Sequence, residues 1–397
     1  MKSLSTARIA QASDHAQKLL WAETWSVEAK MCLPFFLFLC LLGLLLFCLR
    51  PEASLAHEAW LLTPEQIAAR NAQPKPELFT RFGVTNVTMI LAALLFIVGW
   101  VRLFSARARE LFPGLQERFA SYGEHAAIVQ RLCLAVTLIM AAVGLHPRHG
   151  TQAFQAATLG MPDLELSLLE GDWGWLGLVQ VMIAVALLFG IWVRLAAAAT
   201  LVVIVLGLKL FGVAMLAYAG ALAAAALYLL LLGTGRPYLP APVLPGTERI
   251  ISWLADQPPE RAQFLLRVLT GASFLYAGVY YKVLQPNLAL AILVDGGVPT
   301  FGLTPEFFVL GMAIVEVLAG ALILAGVLLR SIAFFLFAAF FFFSAALGEN
   351  ALGHVLFYGL LFALATNDAG RWSPVVAQDR PTPVAALGRA PRPSTAR

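Results

Sequence analysis

The sequence predicts an all-α polytopic membrane protein of about ten transmembrane helices, with two tandem four-helix bundles in its later part. Three observations carry this prediction. Hydrophobic residues make up 60% of the 397 positions and charged residues only 13%, with a mean hydropathy of +0.80. Apolar runs recur at about 17–25 residues, the length that crosses a bilayer core about 30 Å thick. The chain also resembles itself when shifted by 136 positions. The net charge of +4 does not point to nucleic acid, because the basic residues lie between apolar runs, where they set topology. Cys32, Cys40, Cys48 and Cys133 fall in predicted spans without a C-x-x-C pair, which disfavours a thiol redox pair or structural zinc.

Residues 1–127 form an N-terminal region with two spans and a periplasmic segment. The run 31–49 is an uncleaved first span or, alternatively, the core of a signal peptide. Ser54-Leu55-Ala56 has the small residues of a cleavage site that would leave His57 at the new N-terminus. Thr63-Pro64-Glu65 reads as a helix start, with Pro in the first turn. His57 beside Glu58 is a candidate metal ligand outside the membrane; the competing reading is an interfacial helix with Trp60 at headgroup level. The second span covers 84–103, and a charged loop follows it.

The segment 128–236 holds four spans, 128–145, 173–193, 195–211 and 213–232. His146 and His149 would share a face as ligands on a helix, but Pro147 argues against helix there. A Pro-rich cytoplasmic linker, 237–262, separates the halves, and its stretch 250–255 suits the membrane surface. The segment 263–372 gives four more spans, 264–284, 307–329, 331–347 and 351–365, before a disordered tail, 373–397. Lys and Arg counts near the span ends place both termini in the cytoplasm.

At the offset of 136, Arg131 meets Arg267, Gly190 meets Gly326, Arg194 meets Arg330 and Gly212 meets Gly348. Each copy has four spans, an even number, so the copies are parallel repeats. They differ where chemistry is possible. Gln180 stands opposite Glu316, Tyr218 opposite His354 and Leu231 opposite Asn367. The first copy therefore reads as scaffold and the second as the carrier of any site.

Glu316 lies near the middle of an apolar span, where a carboxylate costs about 3 kcal/mol or more and marks a polar pathway or a fixed partner. Lys282, Glu316, Asn350 and His354 could line an outward-facing cavity, with Tyr276, Tyr280, Tyr281 and Phe340–Phe343 as apolar walls. Glu316 and His354 suit proton transfer; Lys282 or Tyr281 suits donation to a carbonyl, with Arg267 at the far end of the same span. Such a slot fits a quinone headgroup. Competing readings keep Lys282 and Arg267 as interfacial snorkels and Glu316 as a structural lock. Gly320 shares a face with Glu316 and allows a close helix approach beside it.

These residues bring a resemblance into view. Arg267 opening a helix, Gly271 and Phe274, Tyr276-Ala277-Gly278 with a Lys soon after, the Glu316 helix ending in Gly326-Val327-Leu328-Leu329-Arg330, and His354 with Asn367 resemble the DoxX family over roughly 263–372. A decayed copy covers roughly 128–236. The resemblance implies a four-helix membrane bundle tied to a thiosulfate:quinone oxidoreductase subunit. It implies a quinone as cofactor and a redox partner subunit or small periplasmic electron donor, since no covalent cofactor motif is present. One feature departs from the family. Its Lys usually lies three residues after the Gly, whereas Gly278 and Lys282 are four apart, about 100° further round an α-helix. The expectation is thus a quinone-interacting membrane protein; the rival expectations are a transporter with an ion or proton relay at Glu316 and a non-catalytic scaffold subunit.

Overall fold

A computed structural model describes residues 62, 64–81, 83–111, 121–145, 154, 156–162, 164–235, 238, 245–346 and 351–367. His57, His146, His149 and Asn350 lie outside these residues, as do the first predicted span and the tail. Among the described residues the secondary structure is helical, apart from one isolated antiparallel bridge between Thr158 and Glu165.

Three helices precede the repeats: α1 (Pro64–Asn71), α2 (Glu77–Thr80) and α3 (Val84–Leu111). Helix α1 begins at the Pro that the sequence marks as a helix start. The first copy consists of α4 (Ala126–Ala142), α5 (Trp175–Phe189), α6 (Val193–Phe211) and α7 (Val213–Leu232). Helix α8 (Glu248–Ala255) lies in the connector. The second copy begins with α9 (Pro259–Ala277), which continues as a π-helical turn over Gly278–Leu284. A short helix α10 (Pro286–Asp295) follows, then α11 (Pro305–Ala325), α12 (Leu329–Ala346) and α13 (Val355–Thr366).

Among the described residues, six helical stretches are long and apolar enough to cross a membrane: Tyr122–Ala142, Val193–Phe211, Ala214–Leu232, Pro259–Leu284, Pro305–Ala325 and Leu329–Ala346. The span expected at 84–103 lies within α3, Val84–Leu111, while those expected at 173–193 and 351–365 are shorter apolar helices, Trp175–Phe189 and Leu352–Thr366. Helix α10 falls in a stretch the sequence reads as a loop. It is apolar and starts at Pro286, yet at 10 residues it is far too short to register as a span.

The internal repeat is written in the backbone as well as in the residue types. Gly190 ends α5 and Gly326 ends α11, both left-handed, with φ of 70° and 74°. Two residues on, Trp192 and Leu328 also have positive φ, 47° and 58°. Positive φ is uncommon for a non-glycine residue, so its return at the same offset is independent support for duplication. Arg194 and Arg330 then reach the closing helix of their own copy. Arg194 Nε donates to the Leu230 carbonyl at 3.0 Å, and Arg330 Nε to the Ala365 carbonyl at 3.0 Å. Each satisfies a carbonyl that the end of a helix leaves without an intrahelical donor.

Within each copy the helices pack in a ring: α4 on α5, α5 on α6, α6 on α7 and α7 on α4, then α9 on α11, α11 on α12, α12 on α13 and α13 on α9. Between copies α7 packs on α9 and α13 on α4, while α7 and α13 also meet. Those contacts are equivalent under exchange of the copies, the relation expected of parallel repeats about a two-fold axis. One continuous apolar core runs through both, so the bundles interlock rather than stand apart in tandem.

Helices α9 and α11 cross tightly. A Cβ on Gly271 would stand 2.6 Å from the Leu324 backbone N, and one on Gly320 would stand 2.5 Å from the Leu275 N. Only hydrogen fits at either position, which is how small residues bring helices together in lipid. This crossing sets the polar residues of the two helices face to face.

Candidate functional site

Glu316 sits just past the middle of α11, and the crossing delivers it to the end of α9. A Cβ on Gly278 would stand 3.1 Å from the Glu316 Cβ, so the α9 backbone lies flush against the carboxylate's stem. One turn later Lys282 Nζ donates to Glu316 Oε2 at 2.6 Å. Lys282 therefore does not snorkel to an interface; it turns inward onto the acid. The π turn explains how. Its i→i+5 bonding holds about one residue more per turn than an α-helix, so the rotation per residue is smaller. The fourth residue after Gly278 returns close to the face that a third residue would occupy in an α-helix.

The pair does not seal the site. Beside it lies a cavity of about 510 Å³ whose walls include Tyr281, Lys282, Glu316 and His354. Those four sequence-predicted residues are brought together. The His354 imidazole, 8% exposed, packs at 4.8 Å from the Phe340 ring, and its Nδ1 lies 3.4 Å from Ser344 Oγ. The aromatic run of α12 divides as a helix requires. Phe340 and Phe343 face the cavity, while Phe341 and Phe342 are exposed on the outer side. Tyr276 and Tyr280 stack on each other at 5.2 Å and stand outside the lining.

Arg267 is a correction. It is buried, carries its guanidinium 5.4 Å from the Phe264 ring and does not line the cavity. Its place on α9 is 15 residues before Lys282, about 22 Å along the helix, and no side chain spans that. Among the described residues no group of three or more His, Cys, Asp and Glu is placed to hold a metal.

The sequence did not foretell the far walls. Tyr218 and Ala217, from α7 of the first copy, line the cavity, as do Ala289, Ile292 and Leu293 of α10 and Met89 of α3. Tyr218 carried a signal: it is the counterpart of His354 at the repeat offset, and the two-fold relation turns both towards the middle of the molecule.

Chemically the cavity is apolar with one polar flank. An ammonium and a carboxylate in contact are jointly neutral, so a neutral guest brings no net charge into low dielectric. Lys282 retains further N–H donors beyond the one given to Glu316, and His354 offers an imidazole that can donate or accept a hydrogen bond. The arrangement suits a neutral guest with carbonyl oxygens and a large apolar surface. Comparison with protein-family models, with curated proteins and with solved structures finds no significant match.

Proposed function

We propose that the second repeat binds a quinone and that the chain is a DoxX-like redox protein of the bacterial inner membrane, with both termini in the cytoplasm. The observation that supports this reading is the cavity itself: about 510 Å³, apolar, with a neutral Lys282–Glu316 pair and His354 on its wall. A volume in that range accommodates a small organic ligand. Lys282 donates to one quinone carbonyl and Tyr281 is close enough in sequence and lining to serve a second. Reduction to the quinol takes two electrons and two protons. The electrons come from a partner subunit or a small periplasmic donor, because this chain holds no cofactor motif; Glu316 and His354 pass the protons.

The test is a titration of purified protein in nanodiscs with a short-tailed benzoquinone, followed by a reduction assay with a chemical donor. Glu316→Gln and His354→Ala should each lower the reduction rate at least tenfold, and Gly311→Leu should abolish binding. The glycine variant is a clean probe, since a Cβ there meets only Met89 Cε, at 3.9 Å, and fills the cavity without a clash. Unchanged rates in both polar variants would remove the roles assigned to those residues.

A second reading is favoured by one observation. The Lys282–Glu316 pair is satisfied without any ligand, as a structural lock would be. On that reading the chain is a non-catalytic scaffold subunit, and the nanodisc titration shows no saturable quinone binding.

A further inference from the structure

The cavity wall is not closed all round. Most lining side chains are buried or half-buried, but Leu303, Val315 and Phe335 line the cavity while being 45%, 37% and 52% exposed on the molecular surface, Leu303 in the connector before α11 and the other two along the spanning helices. Val315 lies on α11 and Phe335 on α12, which are antiparallel and joined by the tight turn at 326–328. Counting outward from residue 327, Val315 stands level with Ala339, which also lines the cavity. One opening is thus a lateral window between α11 and α12, running from the level of Glu316 about one turn towards residues 326–328. Both helices belong to the stretches apolar and long enough to span a membrane, and their outer faces there are Val, Phe and Ala. With these helices in a bilayer, the window faces acyl chain rather than water.

The end of the cavity nearest α10 is roofed. Leu293, Val298 and Val309 form a buried cluster there, with Phe79 packed against it. Helix α10 is tied down from outside the repeat. Asn287 Nδ2 donates to the carbonyls of Arg70 at 3.2 Å and Gln73 at 2.9 Å, and Arg70 pairs with Asp295 at 3.4 Å. Leu62 and Leu288 bury against each other beneath that clamp. These ties hold α10 over that end of the cavity.

From these two features we infer that the guest reaches the cavity sideways from the bilayer, and that it is a membrane-partitioned amphiphile whose neutral, carbonyl-bearing head docks at Lys282 and Glu316 while its alkyl chain trails through the α11–α12 window. The inference rests on the quinone reading only for the chemistry of the head; the window stands on geometry alone. It excludes small polar substrates that partition into water.

The test uses the full chain in nanodiscs and two photoreactive probes, a decyl-tailed benzoquinone carrying a diazirine in its tail and the same diazirine tail without a head. Adducts are mapped by mass spectrometry. Both probes should label Met312 and Phe343, and Val315→Trp or Ala339→Phe, two variants at the rim, should reduce labelling at least fivefold. Asn287→Ala, which loosens the roof, should leave it within twofold of wild type. Labelling by the tail alone, with no competition from untagged quinone, keeps the window and removes the quinone. Labelling that is indifferent to both rim variants, or rapid modification of Gly311→Cys by a charged, water-soluble thiosulfonate, overturns the lateral route.

Discussion

Gln180 and Glu316 occupy the same place in the two copies and live in opposite surroundings. Gln180 is fully buried. Its Oε1 accepts from the Gly160 N–H at 2.8 Å and its Nε2 donates to the Thr158 carbonyl at 2.8 Å. Both partners belong to the loop between α4 and α5, which drives Leu159, Met161, Leu164 and Leu166 into the core. Leu159 lies against Gly207, the counterpart of the cavity-lining Phe343, so the loop fills in the first copy the space that is open in the second. In the second copy the corresponding connector folds into α10 and stays above as a roof. The lesson is that one scaffold yields a plugged bundle or a hollow one according to where a single connector goes. The polar residue at the centre follows: an amide where backbone groups need pairing, a carboxylate with its lysine where a cavity remains.

The comparison can be broken most severely at the helix crossing. Gly271 and Gly320 correspond to Ala135 and Ala184 in the first copy. Converting the second copy with Gly271→Ala and Gly320→Ala forces two Cβ atoms against backbone and should cost about 4 kcal/mol or more, seen as loss of folded protein on thermal unfolding in detergent. A wild-type melting curve would show that the two crossings are interchangeable.

Next comes the ion pair. Lys282→Met leaves Glu316 without its base in a low-dielectric site and should destabilise by about 3 kcal/mol, whereas the double variant Lys282→Met with Glu316→Gln should recover most of that. The contrast separates the cost of a stranded charge from the worth of the pair, and calorimetry of the three proteins measures it. In the first copy, Leu159→Ala withdraws the plug. It should cost about 2–5 kcal/mol and create an apolar void near Gln180 that takes up xenon. The smallest effect is expected at the paired arginines. Arg194→Ala and Arg330→Ala each remove donors from helix-end carbonyls and should lower stability by about 1 kcal/mol, by similar amounts if the repeat symmetry holds.

Much of this architecture can be read from residue types, and the reason is local. Helix-ending glycines with left-handed backbone, arginines that follow a turn and apolar runs of spanning length act within a few residues of where they stand, so Gly190, Gly326, Arg194 and Arg330 announce the repeat unaided. Lys282 and Glu316 are different. They are 34 positions apart, and their helices are apolar nearly all round, so periodicity does not show which face each one turns inward. Two devices decide it, the glycine crossing and the π turn, and the second inverts what α-helical counting gives for Lys282. Arg267 opens the same span at the opposite face, about 22 Å from Lys282, too far to share its site. Helix α10 and the loop around Leu159 are short segments whose destination depends on what they pack against, and no local rule distinguishes a plug from a roof.

The central claim is that the second copy encloses a polar-flanked cavity where, among the described residues, the Leu159 loop fills the equivalent space of the first. Equilibrium titration of the nanodisc-embedded chain with a radiolabelled short-tailed benzoquinone tests it directly. The account predicts one saturable site per chain, lost in Gly311→Leu and unaltered in Gln180→Leu. Two sites, none, or equal loss in both variants would contradict it.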